Sequence, residues 1–247
     1  MKLSFSGHQA LILGGSCDLA TCLARSMVQS ELFPVLTFRS KQGSERISAQ
    51  MASFSGKYKA LYFDLAQPES IDSLFSEIND DVDFLVDFAQ GDMEALIGSV
   101  NIEEMERYFS QNVSSRARVL RKTARLFLRK KRGRLIFISS TAAQRANPGQ
   151  GFYAAAKSAS EALYRNLGLE LADRGITTVT LRAGYIDSGR GRDFIQVNKE
   201  DVLSKVPISR PITCDEVAET VLFFLSESSR GFNATEIVMD GGLVAGK

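Results

Sequence analysis

Apolar residues occur along this chain in short runs separated by longer, periodically apolar stretches. The runs at 10–13, 35–38, 60–63, 84–88, 135–138, 178–181 and 236–239 are rich in Leu, Ile, Val and Phe, and predict strands. Between them, apolar positions recur at helical spacing and predict helices over 19–29, 70–78, 102–131, 151–172 and 214–225. Such alternation implies right-handed strand–helix–strand units, hence a parallel sheet covered on both faces. The runs at 135–138 and 84–88 are almost continuously apolar, as strands buried on both faces are. The expected fold is α/β: a doubly wound, seven-stranded parallel sheet in one domain over residues 1–247. There is no internal repeat, linker or low-complexity segment. Ligands of such sheets bind beyond the carboxyl ends of the strands, so the residues that follow each strand carry most of the functional weight.

Composition changes this picture little and excludes much. Of 247 residues, 44% are hydrophobic and 24% charged, the balance of an ordinary globular chain, which argues against disorder and coiled coil. No apolar run approaches the roughly 20 residues of a membrane span. The first residues, MKLSFSGHQALILGG, contain no signal-peptide core or cleavage site, so a cytoplasmic protein is expected. Cys17, Cys22 and Cys214 lack metal-like spacing, and His8 is the lone histidine. Disulfide, metal and histidine-triad chemistry are therefore not expected. Net charge is +1, which gives no footing for nucleic acid. Charge is nevertheless segregated: residues 64–106 include no Lys or Arg, while 116–134 contain ten cations and no acid. The second stretch reads either as a solvated helix face beside the acidic segment or as a docking surface for an anionic partner.

The strand ends supply candidate ligands. After the first strand come Gly14, Gly15, Ser16, Cys17, Asp18 and Leu19, small residues leading into a helix, as a pyrophosphate site requires. Asp18 would repel a pyrophosphate unless it turned away or capped that helix, and capping is the expected role. After the second strand, Arg39 and Ser40 stand where an acid would select NAD, so a 2′-phosphate and NADPH are favoured. Asp64 and Leu65 follow the third strand as candidate adenine contacts; Phe88, Ala89 and Gln90 follow the fourth; Gly184, Ile186 and Ser188 follow the sixth. Tyr153 and Lys157 lie four apart at the start of a helix, on one face. An ammonium beside a phenol favours the phenolate, which makes the tyrosine a usable general acid.

Asn112, Ser140, Tyr153 and Lys157, in that order on these elements, resemble the catalytic tetrad of the short-chain dehydrogenase/reductases. The resemblance runs from the glycine turn to Asp240-Gly241-Gly242 and implies a Rossmann-like fold. The stretches Asn147-Pro-Gly-Gln before Tyr153 and Arg174-Gly-Ile-Thr before the sixth strand are similar to the bacterial 3-oxoacyl-acyl carrier protein reductases. That subfamily implies NADPH as cofactor, acyl carrier protein as a partner held by Arg132 and Arg174, and a homotetramer or homodimer. It also implies carbonyl reduction with Tyr153 as acid, Ser140 on the carbonyl oxygen, Lys157 on the nicotinamide ribose and Asn112 on a relay water. Three departures stand out: Asp18 and Ala20 replace glycines, Asp87-Phe88-Ala89-Gln90 replaces Asn-Asn-Ala-Gly, and Ala183 replaces a proline. Two rivals are a family member reducing a free ketone of a specialised pathway and a non-catalytic NADP(H)-binding regulator. The segment 187–206 is expected to be a mobile substrate loop, with Arg190, Arg192 and Lys199 available to an anionic substrate.

Overall fold

The computed structural model describes residues 3–78 and 81–246. Its strands are β1 (Gln9–Leu13), β2 (Phe33–Phe38), β3 (Lys59–Tyr62), β4 (Phe84–Asp87), β5 (Gly133–Ser140), β6 (Ile176–Ala183) and β7 (Thr235–Met239). Its helices are α1 (Asp18–Gln29), α2 (Lys41–Gln50), α3 (Pro68–Glu77), α4 (Ile102–Phe109), α5 (Arg116–Lys130), α6 (Gly151–Leu171), α7 (Gly189–Val197), α8 (Lys199–Lys205) and α9 (Cys214–Leu225). The seven strands form one parallel sheet in the order β3-β2-β1-β4-β5-β6-β7. The winding reverses between β1 and β4, and a crevice opens beyond their carboxyl ends.

Successive residues of a strand face opposite layers. Ala10 and Ile12 join a core with α1, α2 and α9; Leu11 and Leu13 join a second core with α3, α5 and α6. Val119, Leu120, Leu126 and Phe127 of α5 are buried in the second core, while Leu128 is partly exposed. No helix of the described residues is long and apolar enough to cross a membrane.

Two expectations need correction. The helix expected over 102–131 is interrupted: Ser110–Ser115 form a π turn between α4 and α5, and Asn112 sits in it. Segment 187–206 is not a loop but folds into α7 and α8. Helix α2 escaped the apolar pattern because Ile47 is the one residue it buries.

The basic stretch has several fates. Lys122 pairs with Asp72 on α3 at 2.5 Å, and Lys130 and Arg132 converge on Asp83 at 2.5 Å and 3.0 Å. That part is a helix face beside the acidic segment. Arg116 and Arg134 are buried instead. Asp83 also accepts the amides of His8 at 2.8 Å and Gln9 at 3.3 Å, tying the start of β1 to β4 and β5. Burial pushes its carboxyl up, but Lys130 and the two amides outweigh this and hold its pKa below the ordinary value. Its contribution to stability is therefore complete above the unfolded pKa of about 3.9 and is lost as pH falls through the lowered folded value. Asp83→Asn is expected to cost about 2 kcal/mol at pH 7 in urea denaturation, a difference that shrinks below pH 4. Equal midpoints at pH 7 would contradict this.

Candidate active site

A cleft of about 420 Å³ occupies the crevice beyond β1 and β4. Its floor is the turn after β1. Gly14 adopts φ +69°, a conformation that favours glycine, and a Cβ there would lie 2.9 Å from the Ala89 amide. Its own amide donates to Thr37 Oγ1 at 3.0 Å, fixing the turn against β2. Ser16 and Cys17 continue the wall, and burial pushes the Cys17 thiol up to about 11, so it stays neutral. Asp18 and Leu19 begin α1. Asp18 does not cap the helix: Cys17 holds the N-cap position without a side-chain bond. The Asp18 carboxylate pairs instead with Arg46 of α2 and accepts from Ser188 Oγ at 3.3 Å.

Of the remaining predicted contacts, Arg39, Asp64, Leu65, Phe88, Ala89 and Gln90 line the cleft, and Ser40, Gly184, Ile186 and Ser188 do not. Arg39 lines the cleft, is exposed, and among the described residues has no carboxylate partner. Ser40 caps α2, accepting the Gly43 amide at 3.1 Å. Asp64 accepts the Ala66 amide at 2.9 Å, which holds Leu65 in the wall. Phe88, Ala89 and Gln90 line the opposite side. Gly184 lies against Asp240, where a Cβ would come within 2.7 Å. Ile186 and Ser188 follow it and lead to Gly189, which reaches the cleft. Thr37, Arg46 and Gln111 also line or support the cleft and were not anticipated. Nothing in the sequence pattern marks them, because each reaches the site through tertiary packing. Arg192 is committed to Asp187 at 2.8 Å, and the Arg190 side chain lies outside the described part of the structure.

Of the four tetrad positions, Asn112 lines the cleft, Ser140 lies on β5, and Tyr153 and Lys157 lie on α6. Ser140 ends β5, and its Oγ accepts the Ala142 amide at 3.2 Å. Tyr153 and Lys157 stand one turn apart at the start of α6. Lys157 is 3% exposed, donates to the Ile138 carbonyl at 2.7 Å, and lies 5.7 Å from the centre of the Tyr153 ring. Asn112 is fully buried: its amide donates to the Tyr108 carbonyl at 2.9 Å and its side-chain oxygen accepts the Gly91 amide at 2.7 Å. The π turn thus clamps α4 to the segment after β4.

Residues 17–244 match the family model described as enoyl-(acyl carrier protein) reductase, a short-chain dehydrogenase/reductase model. The chain belongs to the short-chain dehydrogenase/reductase family. It is 29% identical over 240 residues to the 3-oxoacyl-[acyl-carrier-protein] reductase of Haemophilus influenzae, covering 96% of this chain and 98% of that one. To the reductase of the same name from Escherichia coli it is 28% identical over 244 residues, covering 98% and 99%. Its fold matches a gluconate 5-dehydrogenase from Burkholderia cenocepacia, crystallised with NADP and tartrate, at a TM-score of 0.90 and 22% identity, over 100% of this chain and 98% of that one. An NADPH-dependent reductase of bacilysin biosynthesis matches at 0.89 and 21%, over 96% and 98%. The protein is an oxidoreductase of this family.

Against the family's usual Asn-Asn-Ala-Gly, this chain places Asp87 at the end of β4. The structure supplies its partner. Asp87 and Arg116 are each 1% exposed and pair at 2.8 Å. The guanidinium also donates to the carbonyls of Asn112 and Ala89 and to Ser160 Oγ at 2.9 Å. Asp87 accepts the Ala89 amide at 2.9 Å and the Tyr164 hydroxyl at 3.0 Å. Arg116 had been read as part of a surface stretch; position within a charge run does not reveal which member turns inward. Removing one partner of a buried pair strands the other charge, so Arg116→Met is expected to cost about 3–5 kcal/mol. Combining it with Asp87→Asn removes the stranded charge and is expected to recover more than half. Urea denaturation of the three variants checks this, and a loss below about 1 kcal/mol for the single variant would contradict it.

Proposed function

We propose that the protein reduces a ketone to a secondary alcohol with NADPH, and that its favoured substrate is a 3-oxoacyl thioester on acyl carrier protein. The observation that carries this reading is a cleft lined by both Asn112 and Arg39, together with Lys157, which is fixed by the Ile138 carbonyl 5.7 Å from the centre of the Tyr153 ring. An exposed arginine over a glycine turn fits an anionic dinucleotide with a 2′-phosphate. Arg39 and Ser40 would hold that phosphate, with Asp64 and Leu65 at the adenine. The backbone of Gly14, Ser16, Cys17, Asp18 and Leu19 would meet the pyrophosphate. Phe88, Ala89 and Gln90 would meet the nicotinamide ribose, and Gly184, Ile186 and Ser188 the carboxamide side. When bound, the cofactor supplies the hydride.

The chain's own groups manage the proton. Tyr153 donates its phenolic proton to the carbonyl oxygen as negative charge develops there. Ser140 accepts from Ala142, which leaves its own proton to fix that oxygen. Lys157, held by the Ile138 carbonyl, keeps a positive charge beside Tyr153 and favours the phenolate. It would also hold the ribose hydroxyls of the bound cofactor. A relay water on the Asn112 carbonyl would share that oxygen with Arg116 and Ser160, which already donate to it.

The carrier reading has a geometric consequence. Arg132 precedes β5 and Arg174 precedes β6, and Gly133 pairs with Ile176 at this amino-terminal edge. Ser140 lies at the opposite edge of the same sheet. A carrier docked on these arginines therefore serves the tetrad of a neighbouring copy. The reading goes with a homodimer or homotetramer built on the open groove of Leu120, Leu163 and Leu167 between α5 and α6. A cytoplasmic setting goes with it. One observation favours a second reading, reduction of a free polar ketone: a pocket of about 370 Å³ adjoins the cleft at Gln111 and is lined by Asp92, Glu94 and Glu104 against a single cation, Arg107, a balance that disfavours an anionic arm.

NADPH oxidation with acetoacetyl-coenzyme A, the carrier-bound form and free ketones separates these readings. Tyr153→Phe is expected to lose at least about 100-fold of turnover, and a loss under tenfold would contradict the acid assignment. Arg39→Glu is expected to narrow or reverse the preference for NADPH over NADH; unchanged relative affinities would refute the 2′-phosphate role.

A further inference from the structure

An anion stands beside the pyrophosphate end of the cleft. Cys17, the N-cap of helix α1, lines the cleft, and backbone N–H groups at a helix start favour negative charge. Asp18 is the first residue of that helix. Its carboxylate is bound by the Arg46 guanidinium, by Ser188 Oγ at 3.3 Å and by the Gly189 amide. These donors come from two separate segments, α2 and the stretch after β6, while Asp18 itself belongs to α1. Arg46 and Gly189 both line the cleft. Burial pushes the Asp18 carboxyl up, but Arg46, Gly189 and Ser188 more than offset it, so it carries its charge at neutral pH.

We propose that Asp18 is an internal stand-in for the cofactor's pyrophosphate and lowers the affinity of this cleft for dinucleotides. The proposal rests on the cofactor reading above. A bound diphosphate needs the donors that Asp18 now uses, and two anions cannot share them without strong repulsion. Binding therefore requires the carboxylate to release Ser188 and Gly189 and to swing outward, and Arg46 passes from Asp18 to a phosphate. The adenosine end, with Arg39, is untouched by this exchange. Asp18 thus sets how tightly a ligand with a diphosphate bridge is held, without altering how its 2′-phosphate is read.

The experiment is a pair of titrations by calorimetry, one with NADPH and one with adenosine 2′-monophosphate, which fills the Arg39 end and has no 5′-phosphate. They are made on the wild type, Asp18→Gly and Asp18→Asn. The expected result is NADPH binding at least about tenfold tighter in Asp18→Gly, tighter to a smaller extent in Asp18→Asn, and adenosine 2′-monophosphate binding within about twofold of wild type in both. Wild-type affinity for NADPH in both variants would overturn the proposal and leave the cofactor reading standing. Equal tightening of both ligands would overturn it as well, since the change would then not be local to the diphosphate. Absence of NADPH binding in all three proteins would overturn the cofactor reading and the proposal with it.

Discussion

The buried pair between Asp87 and Arg116 holds the candidate site together. Neither charge survives alone in that interior, so wherever one goes the other must follow. Asp87 is the last residue of β4, at the point where the sheet reverses its winding. Arg116 opens α5 directly after the π turn that carries Asn112. The guanidinium reaches the carbonyls of Ala89 and Asn112, so one side chain fixes both the wall of the cofactor cleft and one member of the tetrad. Ser160 and Tyr164 join from α6, the helix that carries Tyr153 and Lys157. An acid at the end of β4 would be a defect in isolation; with Arg116 it becomes a joint between three elements.

The same region is organised around one ring. Phe137 of β5 is stacked on Tyr164 at 4.9 Å, and both Arg116 and Lys157 lie over it, at 5.1 Å and 4.8 Å. On the same face of β5, Ser139 donates to the buried Glu161 of α6 at 2.6 Å, and Arg182 of β6 closes that pair. Two ionic networks therefore tie α6 to the sheet beside Ser140 and Lys157. Such networks are rigid when fully partnered, and rigidity at this point keeps the serine, the phenol and the ammonium in mutual reach.

Much of this was legible in the sequence. The seven strands and their parallel sheet follow from the apolar runs, and the elements that carry the four tetrad positions follow from the same runs. Signals failed where tertiary contacts decide. Helix α2 buries one apolar residue and so has no pattern to read. The π turn changes the helix by a single residue's register, which periodicity over 102–131 averages away. Arg46 and Arg116 look like their basic neighbours, and the carboxylates that claim them are 28 and 29 residues away in the chain. The sequence marks Asp18 as repulsive to a pyrophosphate unless it turns away or caps the helix, but not its partners Arg46 and Ser188, which lie far from it in the chain.

The central claim is that the departures at β4 and at the first turn leave a working reductase, with hydride from the cofactor and a proton from Tyr153. The most direct test is isotopic. The protein would be incubated with NADPH deuterated at C4 of the nicotinamide, each face in turn, and with a panel of 3-oxoacyl thioesters and free ketones. Mass spectrometry of the alcohol would locate the label. Deuterium on the carbinol carbon from one face and not the other is the result this account predicts. Absence of labelled alcohol across the panel, in protein that binds NADPH, would contradict it.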